Sequence, residues 1–301
     1  MYSYVKEAAF MALIMKGAPV SESMRGEIIK QADALTEKGV RPCLGIIRVG
    51  ERPDDLSYER AAAKRMAAMH IDMKVFPLPA DIGQKELELE FGKINEDSSV
   101  HGILLFRPLP SHLDDTPLRE RIDPYKDVDG MSPVNIAGVF AGKANCFAPC
   151  TPEAVMKTLD YYGITFAGKR AAVIGRSLVV GKPLAVLMTQ RDATVTVCHT
   201  MTENLAEIVR SADIIAAAAG KAHLVTADMV RKGAVVADVG INVGEDGKVR
   251  GDADTEHVKE AAGAITPVPG GIGVVTSAVM AEHVLIGAEH LYTEKFGREI
   301  L

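Results

Sequence analysis

Short apolar runs alternate with longer segments of mixed polarity along the first half of the chain. The run Cys43–Val49 is closed by Gly50 and Pro53, which is typical of a buried strand. Segment 55–69 opens on acidic residues and is predicted to be a helix. The same pattern predicts two further strands and one further helix, at 73–78, 100–106 and 84–95 respectively.

The alternation is more regular in the second half. Strands are predicted at 171–174, Thr194–Cys198, 214–218 and 235–239, with helices between them. This order indicates parallel sheets with crossover helices. Thr151, as a helix cap before Pro152, marks a junction. We therefore predict an α/β fold of two domains, the first made of residues 1–149 with a returning terminal helix at 280–301, the second of residues 150–279.

Composition and charge narrow the class of protein. The 301 residues are 48% hydrophobic, enough for a sizeable core, and the net charge of −6 without a basic block argues against a nucleic-acid partner. The four cysteines lack paired CxxC spacing, which argues against structural zinc and a disulfide framework. The apolar run at 8–15 is too short to span a membrane. We expect a cytoplasmic protein with no membrane segment and no metal.

A loop rich in proline and glycine occupies residues 266–276. Pro267 and Pro269 restrict its backbone, and Gly270, Gly271 and Gly273 remove side chains from it. An apolar helical pattern then runs almost to the end of the chain. Such a loop lets main-chain N–H groups approach a flat or anionic ligand, with a helix N-terminus behind them. The alternative is a tight turn that only starts the helix.

A second glycine turn follows the strand predicted at 171–174. Gly175, Arg176 and Ser177 form the turn, and Gly181 opens the next helix. The spacing differs from GxGxxG, but it too directs a helix N-terminus toward a pyrophosphate.

Charges near the following strand indicate which dinucleotide is bound. An NAD site usually carries an acidic residue at the end of the second strand, about 20 residues after the glycine turn. Here that strand is followed by His199 and Thr200, and no acid precedes Glu203. Arg176 and Thr200 instead offer a cation and a hydroxyl to a ribose phosphate. The sequence therefore favours NADP over NAD, with His199 as a structural residue.

Several motifs together give the chain a family resemblance. In order, they are VG at 49–50 with SY at 57–58, KDVDG at 126–130, PCTP at 149–152, VIGRSxxVGxP at 173–183, DVGIN at 238–242, GDxD at 251–254 and TPVPGGIG at 266–273. This set resembles the methylenetetrahydrofolate dehydrogenase/methenyltetrahydrofolate cyclohydrolase family over essentially the whole chain. The resemblance implies an N-terminal folate domain, a C-terminal NAD(P) domain, a cleft between them, a homodimer, and a role in the one-carbon metabolism that supplies purine biosynthesis.

The resemblance also implies roles for individual residues. Tyr58 and Asp129 are candidate catalytic as well as substrate-binding residues. Tyr58 matches a tyrosine that contacts the folate. Asp129 matches an acidic residue suited to the pterin edge, where two adjacent donors face a carboxylate. Pro269, Gly270 and Gly271 belong to the substrate loop. The implied cofactor-binding residues are Gly175, Arg176, Ser177, Thr200 and Ile241.

The chain departs from the family pattern at a catalytic position. The family helix reads Tyr-x-x-x-Lys, and its lysine is central to the cyclohydrolase step; here that position is Ala62. Lys64 is retained as a candidate catalytic residue, although it lies about 120° from Tyr58 around the helix. Arg65 returns to the Tyr58 face, about 10 Å along the axis.

A second departure follows the strand predicted at 100–106. The family sequence Val-Gln-Leu-Pro-Leu-Pro has a glutamine facing the one-carbon centre, and here that position is Phe106. Arg107 is expected on the opposite face of the strand. Val274 replaces a common proline, with a mild effect expected.

These departures lead to a hypothesis about the two activities. Hydrolysis of the methenyl bridge needs positioned polar groups, whereas hydride transfer mainly needs two aligned rings. We therefore predict an NADP-dependent methylenetetrahydrofolate dehydrogenase with weak or absent cyclohydrolase activity. Three alternatives stay open: the full bifunctional enzyme, with Lys64 or Arg65 reaching the site; another two-domain dehydrogenase acting on a small acid; and a non-catalytic folate or nucleotide sensor.

Overall fold

The computed structural model describes residues 12–297. Residues 8–11 of the N-terminal apolar run and residues 298–301 of the predicted terminal helix lie outside the described residues. Within this range the strands are β1 (Leu13–Ile14), β2 (Cys43–Val49), β3 (Asp72–Leu78), β4 (Gly102–Leu105), β5 (Arg170–Ile174), β6 (Thr194–Cys198), β7 (Ile214–Ala217), β8 (Val235–Asp238), β9 (Asn242–Val243), β10 (Val249–Arg250) and β11 (Ala264–Ile265). The helices are α1 (Gly17–Glu37), α2 (Pro53–Ala67), α3 (Gln84–Glu96), α4 (Thr116–Arg121), α5 (Pro133–Phe140), α6 (Cys150–Tyr161), α7 (Gly181–Gln190), α8 (Leu205–Ser211), α9 (Thr255–Val258) and α10 (Ile272–Phe296), with a 3₁₀ turn at Ala227–Met229.

The described chain divides into two compact units. One comprises residues 12–20 and Thr151–Val275; the other comprises Ser21–Cys150 and residues 276–297. We call them the C-terminal unit and the N-terminal unit, after the part of the chain that supplies most of each.

In the N-terminal unit, three parallel strands pair in the order β3-β2-β4. Every residue of β2 is buried, because the central strand of a parallel sheet is covered on both faces. Ile47, Leu87, Phe91 and Ile103 pack together in the core between this sheet and α3. The residues of α10 in this unit lie against the loops around β4, since a Cβ added at Gly287 would meet the His101 carbonyl oxygen at 2.2 Å.

In the C-terminal unit, six parallel strands of the described chain pair in the order β1-β11-β8-β7-β5-β6. The chain order reverses at β5, which has β6 on one side and β7 on the other. Open α/β sheets bind ligands at such a reversal, beyond the carboxyl ends of the strands. The core is built from small and branched side chains, among them Ala172, Ile215 and Val236.

The α/β fold with mainly parallel sheets is confirmed. Strands Cys43–Val49 and Thr194–Cys198 have the predicted bounds, while the strand predicted at 100–106 is shorter, Gly102–Leu105. Strands β9 and β10 form an antiparallel pair. Helix α10 begins before residue 280. Its segment Ile272–Glu294 is long and apolar enough to cross a membrane, but 67% of its most apolar window is buried within the protein, as in a core helix.

Candidate functional site

In the N-terminal unit, helix α2 presents Tyr58 next to the end of β4. Pro53 opens the helix, and Arg52 pairs with Asp55 through two contacts of 2.8 Å. The Tyr58 ring meets the Phe106 ring edge to face, with centroids 5.4 Å apart and planes at 85°. Phe106 is 8% exposed and Tyr58 is 41% exposed, so the tyrosine keeps an open face for a ligand.

The surroundings of Tyr58 keep its hydroxyl protonated. Protein atoms crowd the phenol although part of the ring is exposed, and this desolvation raises its pKa to about 12, with Cys150 and Asp129 adding to the effect and Arg65 opposing it. Tyr58 and Asp129, which are far apart in the sequence, therefore share one electrostatic environment. At neutral pH Tyr58 acts as a hydrogen-bond donor and not as a base.

In the KDVDG segment the first two charged residues, Lys126 and Asp127, are buried and hold the loop in place. The buried Lys126 ammonium donates to the carbonyl oxygens of Asn95 and Asp97, at 2.7 and 2.9 Å. The buried Asp127 carboxylate accepts from the Ser132 amide at 2.7 Å and from the Asn135 side chain at 2.9 Å. These bonds anchor the loop on both sides of Asp129.

Asp129 itself is 25% exposed at its side chain and pairs with Arg107, whose Nη2 lies 2.6 Å from its Oδ2. Burial raises the pKa of Asp129, while the Arg107 guanidinium lowers it. Arg107 follows the side of Ile103 and Leu105, with which it lines a small cavity of about 30 Å³ that also touches Asp129. Because β4 ends at Leu105, Arg107 lies beyond the strand, and its long side chain reaches Asp129.

Lys64 and Arg65, the two candidates to replace the family's lysine, have different surroundings. Ala62, at the family's lysine position, is 4% exposed. Lys64 is exposed, and its catalytic role stays a prediction. Arg65 donates from Nη1 to the Ser277 hydroxyl at 3.1 Å, and it is the cation that acts on the Tyr58 phenol.

In the C-terminal unit, two glycines allow the turn after β5 to form. Gly175 has φ of +132°, and a Cβ there would lie 2.2 Å from the Ala218 carbonyl oxygen. A Cβ at Gly181 would lie 2.1 Å from the Gly175 carbonyl oxygen. The backbone of the turn therefore packs directly on the first residue of α7, which leaves no room for side chains.

The predicted cofactor residues surround the carboxyl ends of β5, β6 and β8. Arg176, Ser177 and Thr200 are exposed, and Ile241 is 67% exposed. The Ser177 hydroxyl accepts from the Val180 amide at 3.1 Å, which shapes the turn. Exposed side chains at this edge of the sheet suit a dinucleotide, because the helix N-terminus and Arg176 favour its phosphates. Their binding roles stay predictions.

A pair of buried aspartates that the sequence did not single out organises the neighbouring loops. Asp238 accepts the amides of Gly240, Asp252 and Ala253 at 2.8–3.0 Å. Asp252 in turn accepts the amides of Gly220 and Lys221, at 2.8 and 2.9 Å. Burial raises the pKa of Asp238 to about 6, against the effect of its three amide donors. The motifs DVGIN and GDxD are thus one hydrogen-bonded assembly, which their separate positions in the sequence did not reveal.

The glycine loop before α10 is packed against the start of α1. Gly270 has φ of +100°, and Gly17 donates its amide to the Gly270 carbonyl oxygen at 2.9 Å. A Cβ at Gly17 would lie 2.1 Å from the Gly271 carbonyl oxygen, and a Cβ at Gly271 would lie 2.4 Å from that of Pro267. Close backbone packing therefore accounts for Gly271, and a ligand-binding role for Pro269, Gly270 and Gly271 stays a prediction.

Both parts of the chain match models of known protein families. Residues 15–129 match the model of the tetrahydrofolate dehydrogenase/cyclohydrolase catalytic domain, and residues 149–292 match that of its NAD(P)-binding domain. The chain belongs to the tetrahydrofolate dehydrogenase/cyclohydrolase family.

Relatives of this family member match over nearly their whole length. It is 46% identical to the bifunctional protein FolD of Alkaliphilus oremlandii over 275 residues, 91% of this chain and 96% of the relative. The bifunctional enzyme FolD of Campylobacter jejuni superposes with a TM-score of 0.91 at 40% identity, covering 93% of this chain and 99% of that one. The Trypanosoma brucei FolD, solved with NADP and an inhibitor, superposes with a TM-score of 0.87 at 35% identity, covering 93% and 98%.

Proposed function

We propose that this family member is an NADP-dependent methylenetetrahydrofolate dehydrogenase. The observation that carries the proposal is that Tyr58 packs on Phe106 while the next residue, Arg107, pairs with Asp129, whose loop Lys126 and Asp127 hold in place. Asp129 accepts the adjacent donors of the pterin edge, and Arg107 orients its carboxylate and opposes the rise of its pKa. Tyr58 offers a ring face and a protonated hydroxyl to the rest of the folate.

The nucleotide assignment rests on the turn after β5. The turn that Gly175 and Gly181 allow lies directly before α7, whose N-terminus fits a pyrophosphate, and Arg176 fits a ribose phosphate. NADP, when bound, accepts a hydride from the one-carbon bridge of the folate, whose nitrogen lone pair drives the transfer. The T. brucei relative solved with NADP supports this choice over NAD. The chain's own task is to align the two rings.

For the cyclohydrolase activity, two observations support different proposals. The relatives are described as bifunctional, which supports the full dehydrogenase/cyclohydrolase over a monofunctional enzyme. Against this, Ala62 and Phe106 place two apolar side chains where the family pattern has lysine and glutamine, which supports weak hydrolysis. We propose that the chain retains the dehydrogenase and that its cyclohydrolase is slower than its dehydrogenase.

Two spectrophotometric assays on one preparation test these proposals. The first follows nicotinamide reduction with methylenetetrahydrofolate, with NADP and NAD in parallel; the second follows the loss of methenyltetrahydrofolate absorbance. Rapid reduction with NADP and slow hydrolysis are expected. Comparable rates in both would establish the fully bifunctional enzyme, and no reduction despite tight binding of both ligands would establish a sensor.

The remaining expectations complete the proposal. We propose that the N-terminal unit is the folate domain, predicted at 1–149 with 280–301, and that the C-terminal unit is the NAD(P) domain, predicted at 150–279. We further propose a cytoplasmic homodimer that needs no metal and serves purine biosynthesis through tetrahydrofolate derivatives. Sedimentation tests the dimer, and the dehydrogenase rate with and without chelator tests whether a metal is needed.

A further inference from the structure

One face of α2 carries Tyr58, Ala62 and Arg65. At about 100° per residue, Ala62 lies about 40° and Arg65 about 20° from Tyr58 around the helix. Side chains on a helix lean toward its N-terminus, so the Arg65 stem extends over Ala62 in the direction of Tyr58. The small, buried Ala62 leaves this path open.

The guanidinium at the end of that stem is anchored. Nη1 of Arg65 donates to the hydroxyl of Ser277 in α10, at 3.1 Å, and Ser277 is 7% exposed. This bond uses one of the five donors of the guanidinium. Arg65 also lowers the pKa of Tyr58, against the larger effect of burial. Lys64, on another face of the helix, is exposed to solvent.

We propose that Arg65 supplies the positive charge that Ala62 does not, and that its guanidinium binds an anionic or carbonyl oxygen of the folate beside Tyr58. This inference rests on the proposed function, since it names a further substrate contact in the same site. A planar guanidinium forms strong, directional bonds to such oxygens.

The chemistry of arginine limits what this group does. A guanidinium stays protonated at all physiological pH values, so it orients and attracts but takes no proton from water. Arg65 therefore acts on substrate binding in the dehydrogenase reaction and supplies no base for hydrolysis. A family member without that lysine would in this way keep a cation for folate binding.

Two Arg65 variants separate a charge role from a structural one. Arg65→Gln keeps an amide donor for Ser277 and loses the charge, whereas Arg65→Lys keeps the charge. Arg60→Gln is the matched control: it removes an exposed arginine from the same helix, about 160° from Tyr58. Calorimetric titration with tetrahydrofolate measures binding without turnover, and steady-state kinetics separate KM from kcat.

We expect Arg65→Gln to raise the KM for methylenetetrahydrofolate and the Kd for tetrahydrofolate by about tenfold or more, with kcat little changed. Arg65→Lys should recover most of the loss, and Arg60→Gln should stay within about twofold of the wild type. Equal binding by Arg65→Gln and Arg60→Gln would overturn the inference and leave the dehydrogenase assignment intact. A wild-type protein that neither binds tetrahydrofolate nor reduces NADP would instead refute the proposed function, and the inference with it.

Discussion

Gly181 provides a sharp test of the proposed nucleotide site. A Cβ at this position would lie 2.1 Å from the carbonyl oxygen of Gly175, 2.5 Å from its carbonyl carbon and 2.9 Å from the Arg176 nitrogen. All three are backbone atoms, so no side chain can rotate away. The substitution Gly181→Ala must therefore displace the turn itself, where the phosphates are expected to bind.

The size of the effect follows from these distances. Since Cβ contacts below 3.0 Å essentially never occur, the turn and the start of α7 must separate by about 0.9 Å. Overpacking of this kind costs about 1–3 kcal/mol of folding free energy. A displacement of about 1 Å also misplaces the amides that face the phosphates, and misplacement on that scale costs up to about 100-fold. We expect the affinity for NADP to fall by about 10- to 100-fold, or about 1.4–2.8 kcal/mol.

Calorimetric titration with NADP measures this loss, and thermal unfolding measures the change in stability. Tetrahydrofolate binding serves as the internal check, because two of its predicted residues, Tyr58 and Asp129, lie in the other unit. Gly92→Ala is the matched control, since a Cβ in the middle of α3 meets no atom within 4 Å. If Gly181→Ala bound NADP within about twofold of the wild type, the turn after β5 would not be the phosphate site.

Three further predictions address other parts of the protein. Arg107→Leu removes the charge that lowers the pKa of Asp129, so folate affinity should fall about tenfold and the acidic limb of the kcat/KM profile should move to higher pH; an unchanged limb would contradict the role of Arg107. Ala62→Lys with Phe106→Gln should raise the rate of methenyltetrahydrofolate hydrolysis at least about tenfold while the dehydrogenase is retained, and no gain in a folded variant would show that these two positions do not limit hydrolysis. The pKa of Asp238 is raised to about 6 in the folded protein, so Asp238 binds its proton more tightly there than in the unfolded chain. Its contribution to the free energy of unfolding therefore declines as pH rises from about 4 to 6, by at most about 3 kcal/mol. The difference in stability between wild type and Asp238→Asn, measured by denaturant unfolding, should follow that trend, and a difference independent of pH would refute it.

The local pattern of the sequence predicted the elements around the site with little error. Apolar runs closed by glycine or proline located β2 and β6, because a strand buried on both faces needs an uninterrupted apolar segment. The turn at Gly175 was visible because backbone packing at a strand end excludes side chains. Strand β1, by contrast, pairs with β11 from the other end of the chain, and two residues are too few to show a period.

Side-chain roles were predicted less completely. In the sequence, Lys126, Asp127 and Asp129 form one motif. Only the structure shows that Lys126 and Asp127 are buried anchors and that Asp129 is a partly exposed carboxylate. A charge pattern records residue type, whereas burial depends on which distant segments cover each residue.

The sequence by itself determined the fold class, the family and the positions of the unusual residues Ala62 and Phe106, because these depend on local periodicity and on motif spacing. Only the tertiary structure decided which residues distant in the sequence contact one another. Arg65 reaches Ser277 across 212 positions, and Asp238 and Asp252 bring the amides of several loops together. Contacts of this kind depend on chain closure over long distances, which no local pattern encodes.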